Sequence, residues 1–382
     1  NPPPFPNHLE GYHTGDVDKG FSVYLNAAQE AEKLASGVIH RLSWTIGQKR
    51  TAIEQFKPVI ANLEKAQSEG VSFVFAPYPP LSPLPERRGW RFLGRVMLWE
   101  IEESIALNDF DRAIKVFGIA QRFGWDLCGG DTMDANLGMT IIQDTLDPIW
   151  KQFAHFSSEQ LERVSKLLIK ALQSAPPIDM TLQNELITMK QVIQSIQEAF
   201  LSDNLQPYEK ALGTQSEPAF KYLQSLKKES QEKQVEYFNR FANEAEERVK
   251  FWIQMSAEPP HLWESFEDPK GERPWRRFAF HYFSNGIPLL ELWCDTLARS
   301  RLMAVDAWLL AKTKSRKPLP VNIKSLPQEI IRDPYSHLEF EYIPRGTDYK
   351  LYSYGKNGKD DGGQGSAAGD PDLIPVREVV GR

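Results

Sequence analysis

The residues with the clearest chemical content form one run: Gly355-Lys356-Asn357-Gly358-Lys359-Asp360-Asp361-Gly362-Gly363-Gln364-Gly365-Ser366-Ala367-Ala368-Gly369-Asp370-Pro371-Asp372. Four carboxylates, Asp360, Asp361, Asp370 and Asp372, and the amide of Asn357 fall within 16 residues. All are hard oxygen donors. Calcium takes about six to eight such oxygens at flexible geometry. The glycines let the backbone curl so that its carbonyls also turn inward. Composition leaves a calcium-binding loop open as one description. It is not an EF-hand, because no Glu holds the terminal ligand position. A solvated linker is the competing description of the same composition.

Other residues offer less. Glu100 and Glu103 sit three apart on a predicted helix near Trp90 and Trp99. A hydrolase or lyase acting on glycans needs two carboxylates facing a cleft, but carboxylates at this spacing more often decorate a solvated face. The seven histidines form no HExxH and no other i,i+4 metal pair. GxSxG, GxGxxG and GxxxxGK[ST] signatures do not occur in a fitting context. Arg273-Pro274-Trp275-Arg276-Arg277 suits an anionic group or a polysaccharide, or simply a helix start that neutralises carboxylates. Cys128 and Cys294, the two cysteines, are expected as separate buried thiols; one long-loop disulfide is the alternative in an exported chain.

These residues must be positioned mostly by helices. From about Gly20 to about Lys314 the apolar period is helical. Leu182, Leu186, Met189, Ile193, Ile196 and Phe200 make one stripe after the break at Pro176-Pro177. Ser157 and Gln160 form a capping box. One long helix is expected from Ser216 to Ser256 and a last one from Ile287 to Lys312. Leu107 to Ala113 resembles the inter-helix turn of a tetratricopeptide repeat, but no second copy follows. Two Pro-rich segments, Ala76 to Pro85 and Glu258 to Pro274, read as loops. Beyond Lys317 the pattern changes. Leu338 to Tyr342 and Asp348 to Tyr354 alternate with period two around a turn at Pro344-Arg345-Gly346-Thr347, which predicts a β-hairpin; Leu373 to Val376 is a further strand candidate. The expected fold class is mainly α: a Pro-rich extended segment over 1–20, a multi-helix body of αα-hairpins over 21–317, and a small α+β module over 318–382.

Asp333-Pro334-Tyr335, Tyr342, Tyr349-Lys350-Leu351-Tyr352-Ser353-Tyr354-Gly355-Lys356-Asn357-Gly358, Gly362-Gly363-Gln364-Gly365 and Asp370-Pro371-Asp372-Leu373 occur in that order. Together they resemble the C-terminal β region of the major pseudopilin of type II secretion systems, over about 50 of 382 residues. In that family a proline-marked turn, a short hairpin and a Gly/Asp loop close around a structural calcium. The resemblance implies Asn357, Asp370 and Asp372 as side-chain ligands, with the carbonyls of Leu351 and Tyr354 nearby. Asp360 and Asp361 join them on charge and position. Asn357 stands where the family usually has Asp, and the loop is longer. Such modules also occur on helical, envelope-anchored bacterial proteins.

The chain has 45 Lys+Arg against 51 Asp+Glu, a net charge of −6, with 41% hydrophobic and 11% aromatic residues. That is enough apolar mass for a core, and the acidic balance argues against nucleic acid as partner. No apolar run approaches the ~18 residues a membrane span needs. Asn1-Pro2-Pro3-Pro4-Phe5-Pro6 reads as a stalk after a removed signal peptide or membrane anchor, or as a chosen boundary. The expectation is therefore a non-enzymatic, exported bacterial envelope protein in the periplasm or at the cell surface. It binds or assembles with a protein partner or envelope polymer and touches membrane only through a removed anchor. The alternative is an all-helical carbohydrate-active enzyme.

Overall fold

The computed structural model describes residues 4–8, 19–35, 44–71, 75, 85–212, 217–264, 286–363 and 372–376. Twelve α-helices and one hairpin lie among them: α1 (Lys19–Ala35), α2 (Ile46–Ser68), α3 (Pro85–Ala106), α4 (Phe110–Leu127), α5 (Thr132–Lys151), α6 (Ser158–Gln173), α7 (Ile178–Leu201), α8 (Gln206–Leu212), α9 (Glu217–Leu226), α10 (Gln231–Ser256), α11 (Gly286–Lys314), α12 (Gln328–Ile331), β1 (Glu341–Arg345) and β2 (Asp348–Tyr352). The chain is mainly α with a small C-terminal α+β module, as expected.

Local chemistry sets the helix starts. Thr45 with Gln48 and Ser157 with Gln160 form complete capping boxes at α2 and α6. The Asp131 carboxylate accepts from the amides of Met133 and Asp134 and so starts α5. The α7 stripe is buried at Leu182, Met189, Ile193, Ile196 and Phe200. The single helix expected from Ser216 to Ser256 is instead two, α9 and α10. At about 100° per residue, the nine steps from Leu226 to Val235 would put these side chains on opposite faces of a continuous helix. A turn restores them to one core. Ser230 caps α10, and the Gln234 side chain donates to the carbonyls of Leu226 (3.2 Å) and Glu229 (3.1 Å).

α4 packs against α3, α5 and α6, while α11 lies across α5 and α6. α1 joins α2 and α3, and α10 pairs with α7. The α4–α5 crossing is close: a Cβ on Gly138 would lie 2.3 Å from the Gly124 carbonyl oxygen. Backbone meets backbone there, and only glycine allows it.

The hairpin shares this core through Phe340, Tyr349 and Leu351. Its turn is tighter than expected. Pro344 and Arg345 belong to β1, opposite Tyr349 and Asp348, so the loop is Gly346-Thr347 alone. Gly346 takes φ 67° at the first loop position, the conformation a two-residue hairpin asks of glycine. Leu373 makes only an isolated bridge to Ser353, not a strand. Tyr349 anchors the hairpin on buried Asp306 of α11, which Trp150 of α5 also holds: Tyr349 OH donates to Oδ1 at 2.7 Å and Trp150 Nε1 to Oδ2 at 2.8 Å. Residues 4–8 are no free stalk. Phe5 meets Phe238 edge-on at 6.5 Å, and Gln197 donates to the Pro6 carbonyl at 2.8 Å. Residues 76–84 and 265–285, which hold Arg273 to Arg277 and most of the second Pro-rich segment, lie outside the described residues.

Candidate functional site

The C-terminal module is organised by Asp333, 1% exposed. Its Oδ1 accepts from the Tyr335 amide (3.0 Å) and Ser353 Oγ (2.8 Å). Its Oδ2 accepts from Ser336 Oγ (3.1 Å) and the Tyr354 amide (3.0 Å). One carboxylate thus ties the Asp-Pro-Tyr turn to the end of β2. Burial raises its pKa, and the four donors hold it down. Sequence reading took Asp333 only as part of a family motif.

The expected calcium ligands are partly brought together. Asp360 Oδ1 accepts from Tyr352 OH (2.8 Å) and the Gly362 amide (3.0 Å), and Asp372 Oδ2 accepts from the next amide, Gly363 (2.7 Å). These two carboxylates therefore grip consecutive peptide units. Asn357 and Asp361 pair with each other on the outer turn at 2.6 Å. The Tyr354 backbone is held by Asp333, and Leu351 sits in β2 opposite Tyr342 with its side chain in the core. Asp370 lies outside the described residues. Lys350 Nζ donates to the Gly362 carbonyl, so the loop carries a cation of its own. Among the described residues no three His, Cys, Asp or Glu side chains cluster as a metal site.

Glu100 and Glu103 are not a free acid–base pair. Arg112 donates twice to Glu100 Oε1, at 3.0 and 2.9 Å, and Arg50 holds Glu103 at 2.6 Å. Both cysteines are free thiols. Burial pushes Cys294 up to about 12, which keeps it protonated and unreactive at neutral pH.

The helical body offers a groove of about 670 Å³ between α2, α4 and α6. Ile114, Gly118, Ile119, Leu167 and Ala171 form its floor. Its rim carries five cations, Arg112, Lys115, Arg122, Arg163 and Lys170, against two carboxylates, Glu64 and Asp111. Glu64 pairs with Lys115 at 3.0 Å, and Asp111 pairs with Arg163. Lys170 enters no ion pair among the described residues. Arg112 and Arg122 pair with Glu100 and Asp126, which do not line the groove, so the surplus along the strip is the one positive charge of Lys170. Along α4 the groove runs from Asp111 to Arg122, about 17 Å at 1.5 Å per residue.

No family model, curated protein or solved structure matches this chain. The reading of its sites therefore rests on its own geometry.

A second constellation escaped sequence reasoning. Arg87 on α3 donates from Nη2 to Asp131 and from Nε to Asp134, both at 2.6 Å. Glu185 on α7 accepts from the Thr132 amide (3.1 Å) and hydroxyl (2.7 Å). Two carboxylates thus share one guanidinium at the start of α5, and Glu185 holds the same turn through Thr132. Burial first, then the Asp131 charge, raises both Asp134 and Glu185 to about 7. With exposures of 2%, 0% and 9% for Asp131, Asp134 and Glu185, this cluster holds helices together and does not meet substrate. A carboxylate three residues after an Asp cap was its one visible signal; the partners lie 44 and 53 residues away in sequence.

Proposed function

We propose that this chain is a non-enzymatic binding protein, exported to the bacterial envelope, whose body takes an acidic amphipathic segment of a partner protein in the α2–α4–α6 groove. The groove carries the reading: an apolar floor about three helical turns long beneath a charged rim with one surplus cation, Lys170. Such a trough suits a helix that lays an apolar stripe on the floor and flanking carboxylates on the rim. Placement in the envelope is supported by the pseudopilin-like C-terminal resemblance alone.

The test is direct. An 18-residue helical peptide with Leu at i, i+3, i+4 and i+7 and Glu on both flanks is titrated by fluorescence anisotropy. The expected result is saturable binding that weakens as salt rises, because the rim charges are exposed and screened. Lys115→Glu with Lys170→Glu should weaken it at least tenfold. A Lys-flanked peptide should not bind. Equal binding by both peptides, or by the charge-reversed protein, rejects the groove.

The C-terminal loop adds a structural part to this reading. Its donors are carboxylates, an amide and carbonyls, the set calcium prefers. Asp360 and Asp372 would hold the ion, with Asp370, Asn357, Asp361 and the carbonyls of Leu351 and Tyr354 completing it. Bound calcium would neutralise the clustered charge and convert binding energy into stability of the module. The expectation is stoichiometric calcium on metal analysis and an unfolding midpoint that rises with calcium and falls with chelator. Asp372→Asn should abolish that response. An identical midpoint in calcium and in chelator overturns the assignment and leaves the groove untouched.

A further inference from the structure

A second pocket, of about 290 Å³, opens where the C-terminal module meets the helical body. One face of α11 supplies Leu290, Trp293, Cys294, Leu297 and Arg301, and the turn after α12 supplies Arg332, Asp333 and His337. Trp263 closes it beside the end of α10. Its indole is fixed by a 2.9 Å bond from Nε1 to the Glu258 carbonyl.

The charge in this pocket is unbalanced. Arg301 spends Nη1 on the Arg332 carbonyl at 2.9 Å, while its buried Nε has no hydrogen-bond partner. Arg332 Nε donates to the His337 carbonyl at 3.1 Å, and that too is backbone. Neither arginine enters an ion pair among the described residues. The pocket's lining carboxylate, Asp333, already accepts four hydrogen bonds of its own. Two guanidinium groups thus face one small cavity whose single lining carboxylate among the described residues, Asp333, is bonded elsewhere. Consistent with that, burial and the neighbouring Arg332 bring Arg301 down to about 10. A buried donor left unmet is costly, and a charged one more so. His337 holds φ 61° at the pocket wall, a left-handed conformation fixed by its amide's 2.8 Å bond to the Asp333 carbonyl.

We infer that this pocket binds a small organic carboxylate with an apolar or ring body. The Arg301 guanidinium lines the pocket and, among the described residues, bonds only one backbone carbonyl, so it supplies the positive charge that a carboxylate needs. Arg332 adds charge at the mouth. Trp263, Trp293, Leu290 and Leu297 receive the apolar body, and the volume admits only a small molecule. Cys294 is a neutral wall residue here. The site is separate from the α2–α4–α6 groove and stands or falls independently of it.

The probes are phenylacetate, its neutral isostere phenylacetamide, and inorganic phosphate, each titrated into the full chain by calorimetry. Phenylacetate is expected to bind with a dissociation constant in the millimolar range or tighter, and phenylacetamide at least tenfold more weakly. Arg301→Met should abolish binding. Because Arg301 also bonds the Arg332 backbone, Arg332→Gln provides a second variant at an exposed position, expected to weaken binding several-fold with the fold intact by circular dichroism. Equal affinity for acid and amide, no heat from phenylacetate, or unchanged binding in either folded variant overturns the proposal. Tighter binding of phosphate than of phenylacetate overturns the ligand class, since the aromatic wall would then contribute nothing.

Discussion

Asp333→Ala is expected to cost about 3–5 kcal/mol and to open the C-terminal module before the rest of the molecule. The reason is the number of groups that one carboxylate satisfies. Removing it strands the amides of Tyr335 and Tyr354 and the hydroxyl of Ser353 in a site that is 1% exposed. Each unmet buried donor costs about 1–3 kcal/mol. Ser336 lies nearer the surface and can turn to water. Ser353 also accepts from the Gly355 amide at 3.2 Å, so the loop that follows is loosened as well. Asp333→Asn keeps one accepting oxygen and turns the other into a donor, so about half the loss is expected. Hydrogen exchange reads the result: amides of β2 and of Tyr354 should exchange much faster, while those of α4 and α5 hold. A loss below about 1 kcal/mol, or uniform exchange across the whole chain, would show that Asp333 is not the pin.

That pin shows where sequence reading reaches and where it ends. The stripe of α7 and the capping box of α6 were legible because both are written in neighbouring residues. The break between α9 and α10 was equally local, since the nine-residue step at Leu226 reverses the helical face, yet continuous apolar content hid it. Asp333 stood out only through a resemblance. Its partners come from a turn two and three residues on and from a strand end 20 and 21 residues away. The groove was illegible for the same reason. Glu64, Lys115 and Lys170 are some fifty residues apart in sequence, and each alone is an ordinary exposed charge. Long-range juxtaposition also made Glu100 and Glu103 look available, when arginines 12 and 53 residues away neutralise them.

The Arg87 cluster gives the other large effect, and its sign depends on pH. At pH 8 Arg87→Met is expected to cost about 3–5 kcal/mol, the loss that follows when buried charge loses its partner. Asp131, Asp134 and Glu185 would then face one another with no cation at the start of α5. Acid should rescue the variant. Asp134 and Glu185 sit at about 7 in the folded protein, against about 4 for free carboxyl groups. A folded value above the unfolded one means the native state prefers the protonated form. Below about pH 4 both states are protonated and the cluster carries no ionisation penalty. Between about 4 and 7 the unfolded chain ionises first, so this contribution to stability falls as pH rises. Above about 7 the penalty is complete. Removing Arg87 takes away the attraction that lowers both values, so the variant's fall is steeper and extends to higher pH. Urea unfolding at pH 5 and pH 8 measures it, with the gap between wild type and Arg87→Met narrowing at pH 5. Glu185→Gln is the control. Its amide oxygen can still accept from the Thr132 amide and hydroxyl, but it cannot ionise. It should flatten the pH dependence and leave the pH 5 stability within about 1 kcal/mol of wild type. A wild type whose stability rises from pH 5 to 8, with Glu185→Gln leaving that trend unchanged, would place the pH response elsewhere in the molecule and reduce this cluster to a fully ionised bridge.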